Sequence, residues 1–130
     1  MRWDQADRAG KQAGMTLVEI MVVVAIISLV MAGVGVAAWK HHKKAQLKTA
    51  AMSVRRARGA LTTFMMDAPG CPQNWSAVVD AGALESVPTD PWKRELAFRC
   101  PASESNGAAD VWSMGPDGQS ETEDDIRSWR

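Results

Sequence analysis

Residues 15–38 read MTLVEIMVVVAIISLVMAGVGVAA, and the 19 residues from Ile20 to Ala38 carry no charge. At 1.5 Å of rise per residue, a helix of that length is about 28 Å long, close to the hydrocarbon thickness of a bilayer. A helix this apolar on every side would need a shell of other elements to bury it in a soluble domain, and residues 67–130 are too few to supply one. The segment therefore predicts a transmembrane helix. A cleaved secretory signal is the alternative, with Val36-Ala37-Ala38 as its small-residue cleavage site. The run is long for that role, since the apolar region of a signal peptide spans about 7 to 15 residues.

Working outward, the charges fall into blocks. Lys+Arg and Asp+Glu both number 15 in the 130 residues, so the total favours neither a nucleic-acid binder nor an acidic disordered chain. Residues 1–14 are mixed, residues 15–38 hold only Glu19, residues 39–66 hold seven Lys/Arg and no acid, and residues 67–130 hold twelve acids against five bases. These blocks predict a short leader (1–14), a transmembrane helix (15–38), an amphipathic stem (39–66) and a small acidic head (67–130).

Glu19 is the anomaly in the span. A carboxylate near the end of an apolar helix costs a few kcal/mol unless it reaches the interface or meets a cation. A cut between Gly14 and Met15 would create an α-amino group close to it, in its own chain or in a neighbour packed alongside. Gly14-Met15-Thr16-Leu17-Val18-Glu19, after a short charged leader and before a long apolar helix, resembles the processing motif of type IV prepilins and pseudopilins. The resemblance implies a prepilin peptidase that cuts after Gly14, methylation of Met15, and a role for Glu19 in adding subunits to a filament. Met15 stands where that family usually has Phe.

After the span come Trp39 and Lys40-His41-His42-Lys43-Lys44, suited to lipid headgroups. By the positive-inside rule, seven Lys/Arg within 39–58 against three in the leader would put the C-terminal part in the cytoplasm. The prepilin resemblance implies the opposite, a single pass through the bacterial inner membrane with the head in the periplasm. Leu47, Ala50, Val54, Ala57, Leu61 and Phe64 recur at spacings of three and four, a helical seam, and no proline occurs between Met15 and Asp67. Pro69-Gly70 ends the stem. A DNA-binding stripe is the sharper reading of the basic stem, but no aromatics interleave with its arginines and the head is acidic. Contact with membrane lipid and with neighbouring heads is preferred, and no nucleic acid is expected.

In the head, Asn74 caps a short helix that Gly82 stops. Residues 95–100 and 109–114 are strand candidates, and 115–126 is a loop. So small a head usually needs a staple. Cys71 and Cys100 form the expected disulfide, the alternative being two buried thiols, and they lack zinc-ligand spacing. The loop's Asp117, Asp124 and Asp125 are hard oxygen ligands suited to Ca2+ if the loop folds back, although an acidic turn is usually only solvated. Catalysis is not expected: His41 and His42 are the sole histidines and sit by the membrane, leaving no base for a nucleophile. The head tryptophans read as core and rim rather than as a sugar platform.

Asp90-Pro91-Trp92, Phe98-Arg99-Cys100-Pro101, Ser113-Met114-Gly115-Pro116-Asp117-Gly118 and Thr122-Glu123-Asp124-Asp125-Ile126 are similar to successive head motifs of the major pseudopilins of type II secretion. The resemblance implies calcium held by the side chains of Asp117, Asp124 and Asp125 and by backbone oxygens near Met114 and Thr122. It departs at Lys93-Arg94, where the family commonly has Gly-Asn, and at Glu121, where Gly is usual. The expected fold is α+β: a long N-terminal transmembrane and stem helix, then a head of one short helix, a small antiparallel sheet and a calcium loop. The expected function is a non-enzymatic subunit of a helical homopolymer, the pseudopilus, working with minor pseudopilins and an inner-membrane assembly platform to drive protein export. A type IV or competence pilin and a membrane-anchored periplasmic binding protein are the alternatives.

Overall fold

Helix α1 runs unbroken from Leu17–Asp67, as the absence of proline over this stretch predicts. The structure, a computed structural model, describes residues 14–130, so the first thirteen residues of the predicted leader lie outside the described residues. The chain divides into two units, 1–39 and 40–130.

In the first unit the apolar side chains have no protein cover; Leu17 and Leu29 are each 78% exposed. Among the described residues α1 is the one helix long and apolar enough to cross a membrane, with a mean hydropathy of 2.8 over its most apolar window. Leaving that much apolar surface in water is unfavourable at about 25 cal/mol per Å2, so the segment requires lipid or other apolar chains around it.

The second unit builds its core on one face of α1. Val54, Ala57, Ala60 and Leu61 are buried against Trp75, Val78, Leu96, Ala109 and Val111, with Phe64, Phe98 and Ile126 packed at the edge. The seam is therefore present, but it starts at Ala50: Leu47 is 42% exposed, and Ala60 joins the buried set instead. Alanines at 50, 57 and 60 keep the helix surface shallow, which lets the larger Trp75 and Val111 approach it.

Helix α2 (Trp75–Asp80) begins where expected, with the Asn74 side chain accepting the Ala77 N–H at 3.0 Å. Gly82 then turns the chain at φ +77, a conformation that favours glycine. Trp75 lies edge-on to Phe98 at 4.7 Å between centroids and donates its indole N–H to the Leu96 carbonyl, so the largest core side chain leaves no polar atom unsatisfied.

Three strands form one antiparallel sheet in the order β1 (Ala97–Arg99), β2 (Asp110–Ser113), β3 (Ile126–Arg127). The first two are shorter than the sequence pattern predicts. The third corrects it, because residues 115–126 were expected to be loop throughout. Two residues carry no periodicity to read; β3 exists because Ser113 pairs with Ile126 and Trp112 with Arg127. Alternation along β2 turns Val111 and Ser113 into the core and leaves Trp112 half-buried on the other face.

The expected disulfide joins Cys71, just beyond α1, to Cys100, just beyond β1, across 29 residues of sequence. A closure of that size stabilises by about 3–4 kcal/mol in the loop-entropy estimate. Replacing both cysteines by alanine should lower the melting temperature of the detergent-solubilised chain, followed by tryptophan fluorescence, by about 12 °C or more. A change of only a degree or two would mean that α1 holds the sheet unaided.

Candidate functional site

Two places carry the predicted functional residues. The first is the start of α1. Gly14, Met15 and Thr16 precede the helix, and among the described residues nothing beyond its chain neighbours lies within 4 Å of where a Cβ on Gly14 would sit. The Thr16 hydroxyl accepts the Glu19 N–H at 3.3 Å, which makes Thr16 the helix cap and puts Glu19 in the first turn, at the positive end of the helix dipole. Thr16-x-x-Glu19 is the capping-box spacing, so Thr16 and the segment's one charged residue gather at the same helix end, while Ser28 further along donates its hydroxyl to the Val24 carbonyl.

The second place is the loop between β2 and β3. It folds back on itself at Gly115 (φ +65), where a Cβ would collide with the Asp124 backbone oxygen and carboxylate. The Asp124 carboxylate accepts the Asp117 N–H at 3.2 Å and the Thr122 hydroxyl at 2.6 Å. Asp125 accepts the same hydroxyl at 3.2 Å, the Glu121 N–H at 2.8 Å and an Arg127 N–H at 3.3 Å. Arg127 also donates to the Thr122 carbonyl at 3.2 Å. The Thr122 hydroxyl thus brings Asp124 and Asp125 together, and Asp117 adjoins Asp124.

The donor chemistry suits a hard cation: carboxylates and carbonyls of one loop, with oxygens facing a common hydroxyl. The arrangement is not a ready-made cluster, however. Among the described residues no three His, Cys, Asp or Glu side chains are gathered so as to hold a metal ion, because the carboxylates are engaged by the loop's own N–H and O–H donors and by Arg127. The Thr122 hydroxyl, against partial burial and aided by the Asp117 N–H, holds the Asp124 carboxyl below the usual value, so the charged form is the one this loop is built around.

Sequence reasoning missed two carboxylates that position these elements. Asp90, 5% exposed, accepts the backbone N–H groups of Trp92 and Arg94 and the Ser113 hydroxyl, tying the turn after Pro88 to β2. The Asp90-Pro91 pair signals an Asx-type turn, but nothing in it announces the reach to Ser113. Asp110 is fully buried within β2 and accepts the N–H of Ser103, the N–H of Glu104 and the Ser105 hydroxyl, organising the β1–β2 connection. An aspartate inside a strand carries no sequence signal of this kind.

Comparison with known proteins now defines the class. Residues 10–35 match the prokaryotic N-terminal methylation motif, so the apolar helix and its Gly14–Glu19 entry are those of a membrane-anchored, methylation-motif protein. Residues 37–129 match the family described as type II secretion system (T2SS), protein G. The chain belongs to that family. It is 32% identical to the type II secretion system core protein G of Escherichia coli (strain K12), over 92% of this chain and 92% of that protein. To the core protein G of Klebsiella pneumoniae it is 30% identical, over 92% of this chain and 95% of the other. The crystal structure of the major pseudopilin from the type 2 secretion system of enterohaemorrhagic Escherichia coli superposes with a TM-score of 0.60 at 25% identity, covering 70% of this chain and 92% of that one.

The two departures noted in the sequence both fall at strained positions. Lys93 (φ 64) and Glu121 (φ 70) are the non-glycine residues with positive φ among the described residues. Each left-handed residue costs about 1–2 kcal/mol. Asp90 and Asp125 offset that cost locally, by taking the N–H of Lys93 on the Asp90 carbonyl and the N–H of Glu121 on the Asp125 carboxylate.

Asp110 also makes a pH prediction. Burial opposes its charge, but the Ser105 hydroxyl and the N–H groups of Glu104, Ser103 and Ser105 outweigh this and hold the carboxyl below its ordinary value. A lowered folded value stabilises the head above the unfolded value of about 3.9, and that contribution is lost as pH falls through the folded value. Asp110→Asn should therefore melt several degrees below the parent at neutral pH, with the gap closing below about pH 4. A gap of the same size at both ends of the pH range would refute the assignment.

Proposed function

We propose that this chain is the major structural subunit of a type II secretion pseudopilus, polymerising in the periplasm to drive protein export. Membership in the protein G family supports the reading. The structural observation that carries it is an apolar helix without protein cover whose first turn holds Glu19, just after the Gly14–Met15 bond.

The mechanism is mechanical rather than catalytic. A prepilin peptidase cuts after Gly14, and the new amine on Met15 is methylated. In the bilayer the apolar side chains of α1 are solvated by lipid, and during assembly they exchange lipid for the same surface on neighbouring subunits. Glu19 selects the register of that exchange, since a carboxylate in low dielectric is stable only beside a positive partner and the amine of an adjacent subunit supplies one. The basic stem and the acidic head give neighbouring subunits complementary charge. Minor pseudopilins and the inner-membrane assembly platform are its partners, and the head faces the periplasm, where the disulfide is maintained.

Calcium completes the head in this reading. Asp117, Asp124 and Asp125 would hold it with carbonyl oxygens near Met114 and Thr122, and the ion supplies positive charge that ties both arms of the folded-back loop. The fold of the loop supports this: Asp117 adjoins Asp124, and Asp124 and Asp125 both face the Thr122 hydroxyl.

N-terminal sequencing of the mature protein should begin at N-methylated Met15, and Glu19→Leu should reach the membrane normally yet fail to polymerise. Filaments at parental yield from that variant would sink the proposal. Separately, Asp117→Ala should melt lower than the parent in millimolar calcium and close to it in chelator; equal melting in both media would remove calcium from the account.

A further inference from the structure

Arg94 is placed as no sequence pattern foretells. It stands at the end of the Asp90 turn, and its guanidinium lies under the first arm of the loop. One N–H donates to the Gly115 carbonyl at 2.7 Å and grazes the Pro116 carbonyl at 3.4 Å. Nη1 fills the space a Cβ would take at Gly118, so the loop closes over the arginine only because residue 118 is glycine. Nε is buried without a hydrogen bond, 3.8 Å from the Asp90 carboxylate, which is itself nearly inaccessible. The Trp92 ring lies 6.0 Å from Cζ.

A guanidinium in this position does two things at once. It neutralises the buried Asp90 charge, and it gives fixed donors to carbonyls of a segment otherwise held by the Asp117 N–H on the Asp124 carboxylate and by short turn bonds. Arg127 holds the far arm in a similar way, through Thr122 and Asp125. The near arm carries Asp117, so whatever orders residues 115–118 also sets the position of that carboxylate.

We infer that Arg94 is a positioning residue, a cation built into the chain that clamps residues 115–118 onto the Asp90 turn and orders the near arm of the loop before any metal binds. The clamp itself operates without calcium; only its consequence for calcium rests on the calcium reading above. That consequence is a smaller ordering cost on binding, since one arm is already held.

Amide hydrogen exchange on the full chain in detergent, in excess chelator, tests the clamp. In Arg94→Gln the amides of Gly115, Asp117 and Gly118 should exchange about tenfold faster than in the parent, while those of α2 keep their parental rates. Unchanged exchange at 115–118, or equal acceleration in α2, would overturn the inference, because the second pattern is general destabilisation. Repeating the measurement with calcium alone separates the two readings. Calcium should slow the variant's loop amides towards parental rates; if it slows neither protein while the chelator result stands, the calcium reading fails and the clamp survives.

Discussion

A shallow stripe on α1 is the constraint on which the head depends. Ala50, Ala57 and Ala60 present small side chains between Val54 and Leu61, so a short helix and a few strand residues can lie close enough to bury Trp75, Val78 and Val111. Residues 67–130 alone would make a marginal core. With the helix as one wall and Cys71–Cys100 fastening its end to β1, a sheet whose third strand has two residues is sufficient. A bulky or charged side chain at Ala57 would separate these layers at once.

The head's acidity serves a second purpose inside the fold. Asp90, Asp110, Asp124 and Asp125 each accept backbone N–H groups from nearby turns, so the connections after α2 are organised by carboxylates rather than by repeating structure. These bonds pair backbone donors in a head that is mostly loop. The acidic surface of the head is what remains after these internal demands are met.

The same economy shapes the strained positions of the head. Lys93 and Glu121 occupy left-handed backbone positions that glycine would fill without strain. Both are flanked by acceptors that hold their N–H groups, and Lys93 is followed by the arginine that reaches under the loop. A side chain in a left-handed position therefore coincides with added polar contacts nearby.

What the residues alone determined was the long helix, its apolar half long enough to cross a membrane, the methylation motif, the Asn74 cap and the family, with the cysteine pairing as an expectation that the structure bears out. Those features rest on local order along the chain: an uncharged run, a helical period, a capping residue, a short motif. Tertiary structure decided the rest. The two-residue β3, the late start of the seam at Ala50, the burial of Asp90 and Asp110 and the reach of Arg94 to Gly115 have no local signal, because each depends on a partner distant in sequence or on which elements cover one another in the closed head. Pairwise contacts between segments of no periodicity are decided only when the chain closes on itself.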